Sequence, residues 1–468
     1  MKAGHHVAPA RVMAWSPEDA ALSLVGIAFL ERALAHILAG WAVKMPEFEE
    51  KLLFAIHMHH AMERASQWRS RIHGLCHAVA GEPCLSKGWQ AALKLLDASP
   101  NARALTMAVY GILYPRLIEM CDVHARRTDC DGDRGSLDLL ASFLPQLRTE
   151  RREGLSLLSL KERMKAPTSD KAFEAFWYAR HNGEKLKLEQ LMWEPLDRVP
   201  GAVRPENSQF SPSGSLGLLP ADPLHDAADI AMFLHKEMDE EFTTLELLAR
   251  NSYEHPSMPW QFHRDMARQV ADEARHARMI GRLMQARGVC HGQYKISTAS
   301  YDGLYEFEPC ERGSRNELLW RILIRQTFME GLAIDHLALD IGRRKRLGQS
   351  DIAHVFEYIL RDEVFHAHSG LRWSHDLLGS DHASVLEARR EAFSYSTARA
   401  EIARERFVME NLDAAMAELA AIEAVKKSRS GTRQTTPLNA IGRKQAGFNE
   451  DDLDQVIVWG FASDQSTA

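Results

Sequence analysis

Hydrophobic positions recur along this chain at helical spacing over long windows, with Leu, Ala and Met interleaved with Glu and Arg. The short alternating Val/Ile/Thr runs and Asn-Gly turns of strands hardly occur. The pattern predicts an all-α fold. Helices are expected over about Ser16–Ala42, Pro46–Ala80, Ala102–Arg127 and Leu137–Gly154, forming a first bundle. The texture then changes: Pro167, Pro195, Pro200, Pro205, Pro212, Pro220 and Pro223 mark a long irregular connector with one short helical piece near Ser169–Asn182. Helical periodicity returns over Asp226–Tyr253, Gln261–Arg287, Asn316–Leu347, Ser350–Leu378 and Ser384–Lys427. Four regions follow: a bundle over 1–165, the connector over 166–223, a second bundle with an extra C-terminal helix over 224–427, and a loose polar tail over 428–468 with a turn near Asn449–Val456.

Composition narrows the class of function. With 468 residues, 45% of them hydrophobic, the chain has apolar surface for more than one core. A formal charge of −7 argues against gripping nucleic acid. Six Cys without a CxxC pair suggest neither a zinc knuckle nor a disulfide scaffold, and a reducing cytoplasm is the expected compartment. The N-terminus lacks a signal core, and Glu31 and Arg32 interrupt the apolar run Ala20–Leu30, so no membrane span is expected.

Chemistry enters with two Glu-x-x-His tetrads, Glu273-Ala-Arg-His276 and Glu363-Val-Phe-His366. In a chain with 22 His such tetrads arise by chance, so their context carries the weight. Each follows an Asp, Asp272 or Asp362, inside a helical segment, and each has a glutamate about one hairpin upstream: Glu241 lies 32 residues before Glu273, and Glu330 lies 33 before Glu363. Residues equidistant from the turn of an antiparallel hairpin lie side by side, which places the turns at Ser257, between Pro256 and Pro259, and beside Gly348. Glu and His three apart share a helix face. Two such hairpins therefore gather four carboxylates and two imidazoles around one point.

Glu241 and Glu330 fall on otherwise apolar stripes, where a lone carboxylate is costly and four would repel one another. Two divalent cations neutralise them, and hard carboxylate oxygens with only two imidazoles favour iron or manganese over tetrahedral zinc. Asp272 and Asp362 are placed to orient the histidines, with the pairing open. Glu246 and Asp335, each five residues after Glu241 and Glu330, are alternative ligands; the turn positions favour Glu241 and Glu330. Glu240 is read as a solvated neighbour, His235, His336, His354 and His368 as surface or core histidines, and Thr244 and Thr327 as core-lining or as aids to proton or oxygen passage.

These motifs resemble the ferritin-like di-iron carboxylate superfamily, whose core carries Glu, Glu-x-x-His, Glu, Glu-x-x-His in this order. Asp272-Glu273-Ala-Arg275-His276 is similar to the Asp-Glu-x-Arg-His box of bacterial multicomponent monooxygenases, while the second box has Phe365 in place of Arg. A nearer likeness, through Glu241-Phe-Thr-Thr-Leu-Glu246 and Glu330-Gly-Leu-Ala-Ile-Asp335, is to the ferritin-like family catalogued as domain of unknown function 455, related to tRNA-modifying di-iron hydroxylases. The resemblance implies a four-helix bundle holding two iron ions, with manganese an alternative in one or both positions, that uses O2 as co-substrate. Its ligands are expected to be Glu241, Glu273, His276, Glu330, Glu363 and His366, and the expected activity is that of an oxidase or monooxygenase on a small organic molecule. Electrons are expected from a separate reductase or the substrate itself. Iron storage or sensing without an organic substrate, and tRNA hydroxylation, are the alternatives; a dimer is compatible with the sequence.

The first half offers a weaker echo. Glu31 and Glu63 are 32 apart and Glu119 and Glu150 are 31 apart, yet Ser66 and Glu153 stand where His would follow. This half reads either as a degenerate copy or as helical hairpins of ordinary period, without a second metal site. Its His57, His59, His60 and Glu63 read as structural.

Overall fold

The computed structural model describes residues 14–45, 47–77, 84–85, 96–159, 186–187, 227–294, 310–311, 313–379, 382–410, 412–413, 415–417, 419–420, 436–458 and 462–463. Two compact units divide the chain: Met1–Trp41 with His57–Trp193, and Ala42–Ile56 with Glu194–Ala468. Among the described residues the fold is helical apart from four two-residue strands, so the all-α expectation holds. Cys84–Leu85 pairs antiparallel with Leu186–Lys187, and Thr436–Pro437 pairs parallel with Ala462–Ser463. The rest of the expected connector, including Ser169–Asn182, lies outside the described residues.

Four long helices begin the chain: α1 (Pro17–Lys44), α2 (Phe48–Leu75), α3 and α4 (Arg134–Ser156). Helix α3 runs through Ala102–Thr106, a π-helical stretch Met107–Leu113, and Tyr114–Arg127. Side-chain caps start its first piece and α4: Asn101 accepts from Ala104 N–H at 2.9 Å and Asp133 from Ser136 N–H at 3.1 Å. One expectation is corrected here. Glu31 and Arg32 do not end the apolar character of α1, which continues to Val43 and is by length and composition sufficient to cross a membrane. Its most apolar window is 78% buried inside the protein, as in a core helix, and Glu31 is buried against a partner arginine.

The second unit repeats this plan. Helices α5 (Ala227–Glu254) and α6 (Trp260–Gln285) pack along each other, as do α7 and α8 (Ser350–Leu378), and α6 also packs on α8. Helix α7 comprises Arg315–Arg321, a π-helical stretch Ile322–Met329, and Glu330–Arg346. It starts from a side-chain cap: Ser314 accepts from Glu317 N–H at 3.2 Å, while Glu317 reaches back to accept from Gly313 N–H, one residue before the cap, at 2.6 Å. The α5–α6 turn lies at His255–Pro259, and Gly348, at φ 73°, makes the α7–α8 turn, both where the glutamate spacing places them. Leu245, Leu248, Met266, Val270, Ile280, Leu323 and Ile359 form the interior. Helix α9 (His382–Glu410) packs on the π-helical stretch of α7.

The tail, expected to be loose, is ordered over residues 436–458 and carries α10 (Ala440–Gln445) and α11 (Glu450–Val458). Its scattered apolar residues are the reason: Ala446, Phe448 and Leu453 join Ile334, Ala367 and Leu371 in one buried cluster. Sparse apolar positions in a polar segment hide this docking from a periodicity argument.

Candidate metal centre

Each of the four central helices delivers carboxylate or imidazole to one point: Glu241 from α5, Glu273 and His276 from α6, Glu330 from α7, and Glu363 and His366 from α8. Glu330 is the first residue after the π-helical stretch. All six side chains are withdrawn from solvent, Glu241 at 9% exposure and the others at 3% or less.

The two histidines face inward through Nδ1. His276 Nδ1 lies 3.3 Å from Glu241 Oε2, 3.2 Å from Glu273 Oε2 and 3.9 Å from Glu363 Oε1. His366 Nδ1 lies 3.3 Å from Glu273 Oε1 and 3.4 Å from Glu363 Oε2. Glu273 and Glu363 thus each address both imidazoles with their two oxygens. Two overlapping groups result, Glu241–Glu273–His276–Glu363 and Glu273–Glu330–His366, within each of which the donor atoms lie within 4.8 Å of one another.

Outward, the pairing of the aspartates is crossed. His276 Nε2 is 3.1 Å from Asp362 of α8, and His366 Nε2 is 3.4 Å from Asp272 of α6. Arg275 ties the two aspartates together, donating to Asp272 at 2.5 Å and Asp362 at 2.9 Å. Each histidine is therefore oriented by the opposite hairpin, which fixes Nδ1 toward the centre.

Burial governs the charges. It raises Glu241 and Glu330 well above the ordinary carboxylate range, with Glu363 adding to the rise at Glu330. Burial acts the same way on Glu273, but His366 and His276 outweigh it and hold that carboxyl low. Burial opposes the charged form of both histidines, yet Glu241 beside His276, and Glu273 and Glu363 beside His366, lift them well above the usual imidazole value. Glu273 Oε1, Glu363 Oε2 and His366 Nδ1 make no hydrogen bond although they are buried. Unsatisfied buried oxygens and an inward imidazole nitrogen fit cation ligands, and the oxygen-rich donor set suits a hard divalent metal.

The alternative ligands point elsewhere. Glu246 pairs with Lys51 Nζ at 2.7 Å, and that ammonium also donates to the Ala42 and Val43 carbonyls. Asp335 is held by Arg443 of α10 at 2.7–3.1 Å and accepts from Asn439 N–H. Glu240 is not simply solvated: it lies 3.5 Å from Arg325, which is also 3.5 Å from Glu330 and donates to Thr244 Oγ1. Thr327 donates to the Leu323 carbonyl. His235 is buried and accepts from Gly292 N–H, while His336, His354 and His368 are exposed, as read from their positions.

Sequence reasoning missed Arg325, Gln269, Lys51 and Arg443. Gln269 Nε2 reaches Glu330 Oε1 at 3.5 Å and its own oxygen accepts from Gln326 at 2.7 Å. Arg321 and Arg325, four apart in the apolar run Leu318–Phe328, carried a usable signal, because an arginine inside such a run needs buried acids. Lys51 and Arg443 are far in sequence from their partners and carried none. No curated protein and no solved structure matches the chain. The model of a family described as a protein of unknown function, DUF455, matches residues 162–454, more than half of the chain, and the chain belongs to that family.

Proposed function

We propose that the second unit is a ferritin-like di-iron domain and that the protein is an O2-dependent oxidase or monooxygenase acting on a small organic substrate. The observation that carries this reading is the crossed arrangement of the two hairpins, in which each Glu-x-x-His pair faces the other and each histidine is oriented by the other's aspartate. Two iron ions bound there supply O2 activation and oxidising power. Glu241 with His276 serves one position, Glu330 with His366 the other, and Glu273 and Glu363 are placed to be shared between them. Asp272, Asp362 and Arg275 keep both imidazoles turned inward. The apolar residues around the six ligands exclude water from the centre, while Arg325 of α7 and Gln269 of α6 lie beside Glu330.

Anaerobic loading with Fe(II) tests the reading. About two iron ions per chain are expected from the two overlapping ligand groups, with a clear loss in Glu363→Ala, which removes a shared carboxylate. Iron well below two per chain in the unaltered protein, or undiminished loading in the variant, would overturn the assignment. Repeated O2 consumption stimulated by an organic substrate supports an enzyme. Single-round Fe(II) oxidation ending in mineral marks storage instead.

A further inference from the structure

The first unit holds a buried ionic cluster that the proposed function does not use. Arg64 of α2, its side chain 1% exposed, lies between carboxylates of α1 and α4. Its Nε and Nη2 donate to Glu31 Oε1 and Oε2 at 2.7 and 3.0 Å, and its Nη1 donates to Glu150 Oε1 at 2.8 Å. His60 Nδ1 is 2.8 Å from the same Glu150 oxygen, and Tyr114 OH donates to Glu150 Oε2 at 2.8 Å. Next to this core, His57 lies between Tyr110 OH at 2.8 Å and Glu153 Oε2 at 3.2 Å. All four helices of the unit contribute.

Three placements repeat those of the second unit. Glu31 and Glu63 have the 32-residue spacing of Glu241 and Glu273, but Glu63 is only half-buried and the adjacent Arg64 is the residue turned inward. Tyr114 is the first residue after the π-helical stretch of α3, as Glu330 is after that of α7. Glu150 and Glu153 have, on the fourth helix, the spacing of Glu363 and His366. Two π-helical stretches at the same point of the plan are unlike chance, since such stretches are rare and cluster at functional sites.

We propose that this cluster is a metal-free counterpart of the second unit's centre, with the Arg64 guanidinium in the cation's place, and that removing the guanidinium uncovers a divalent-cation site made by Glu31, His60 and Glu150. A guanidinium cannot lose its proton, and its donors are arranged to satisfy two carboxylates at once. It therefore closes the helices without metal. Removing it leaves two buried carboxylates and an imidazole with no counter-charge, the donor set that recruits a hard or borderline cation.

Cobalt(II) binding, read by equilibrium dialysis and by the visible spectrum of the bound ion, tests this in a Glu273→Ala/Glu363→Ala background. The background makes the result independent of whether the second unit binds iron. With Arg64 intact, no Co(II) is expected through the first unit. Arg64→Ala is expected to gain about one equivalent, on the order of one ion for this one ligand group. Adding Glu150→Gln should abolish the gain, and Arg64→Lys, which keeps a cation, should not show it. Should Arg64→Ala fail to fold without metal, Co(II) is expected to restore its helical circular dichroism. No gain in folded Arg64→Ala, no rescue of an unfolded one, or Co(II) uptake with Arg64 intact that His60→Ala abolishes would each overturn the proposal.

Discussion

At Gly370 the α8 backbone comes so close to α7 that a Cβ would lie 2.6 Å from the carbonyl carbon and oxygen of Gln326. The obstacle is backbone of the π-helical stretch, so no side chain can swing aside. Gly370→Ala is expected to lower stability by about 1–3 kcal/mol, the usual cost of forced overpacking, measurable as a shift in the urea midpoint. The same contact sets the distance between Glu363 and His366 on one helix and Glu330 on the other. The glycine is plain in the sequence, but its close approach to backbone is not, because that depends on where α7 widens.

Among elements, α7 shows both what periodicity conveys and where it stops. Its start, its end at Gly348 and the inward place of Glu330 follow from spacing and breakers. The π-helical stretch does not, because it changes the residues per turn without any distinctive composition, and a stripe counted from Leu323 through Thr327 to Glu330 assumes a regular helix. Helix α10 was missed for a different reason: beside the apolar cluster of Ala446 and Phe448 with Ile334, it is held to α7 by a buried ion pair, Arg443 with Asp335, between residues more than a hundred apart. Both side chains are 1% exposed. Removing one partner strands a buried charge, so Arg443→Leu is expected to cost about 3–5 kcal/mol. The double variant with Asp335→Leu should recover much of that in the same denaturation experiment; equal losses in single and double variants would argue that the pair contributes no coupling.

For the whole molecule, the all-α class, the order of the helices and the meeting of four glutamates and two histidines were legible because helical period and turn residues are local signals. Unread were the ion pairs that join distant helices, of which Glu254 is a clear case. Its side chain is withdrawn from solvent at the end of α5, accepting from Arg250 at 2.8 Å and Arg321 at 2.7 Å, with Arg321 also paired to Glu317. Burial alone would raise its carboxyl, but the two guanidiniums prevail and hold it below the ordinary glutamate value of 4.5. A depressed acid stabilises the fold at pH above its unfolded value and loses that contribution as pH falls through the folded one. Stability should therefore drop as pH falls below about 4.5, and Glu254→Gln, less stable at neutral pH, should show a flatter acid limb in pH-dependent unfolding.

With the proposed di-metal role, the crossed Asp–His pairing has a consequence for the order in which cations enter. Asp362 of one hairpin sets the imidazole of the other, and Glu273 and Glu363 address both histidines, so organising either position organises its neighbour. Loading should accordingly be cooperative, with a Hill coefficient above one and few singly loaded molecules. Asp362→Asn, which lies nearer His276, is expected to weaken uptake at both positions together; two independent steps in its binding isotherm would show instead that the hairpins act as separate binding sites.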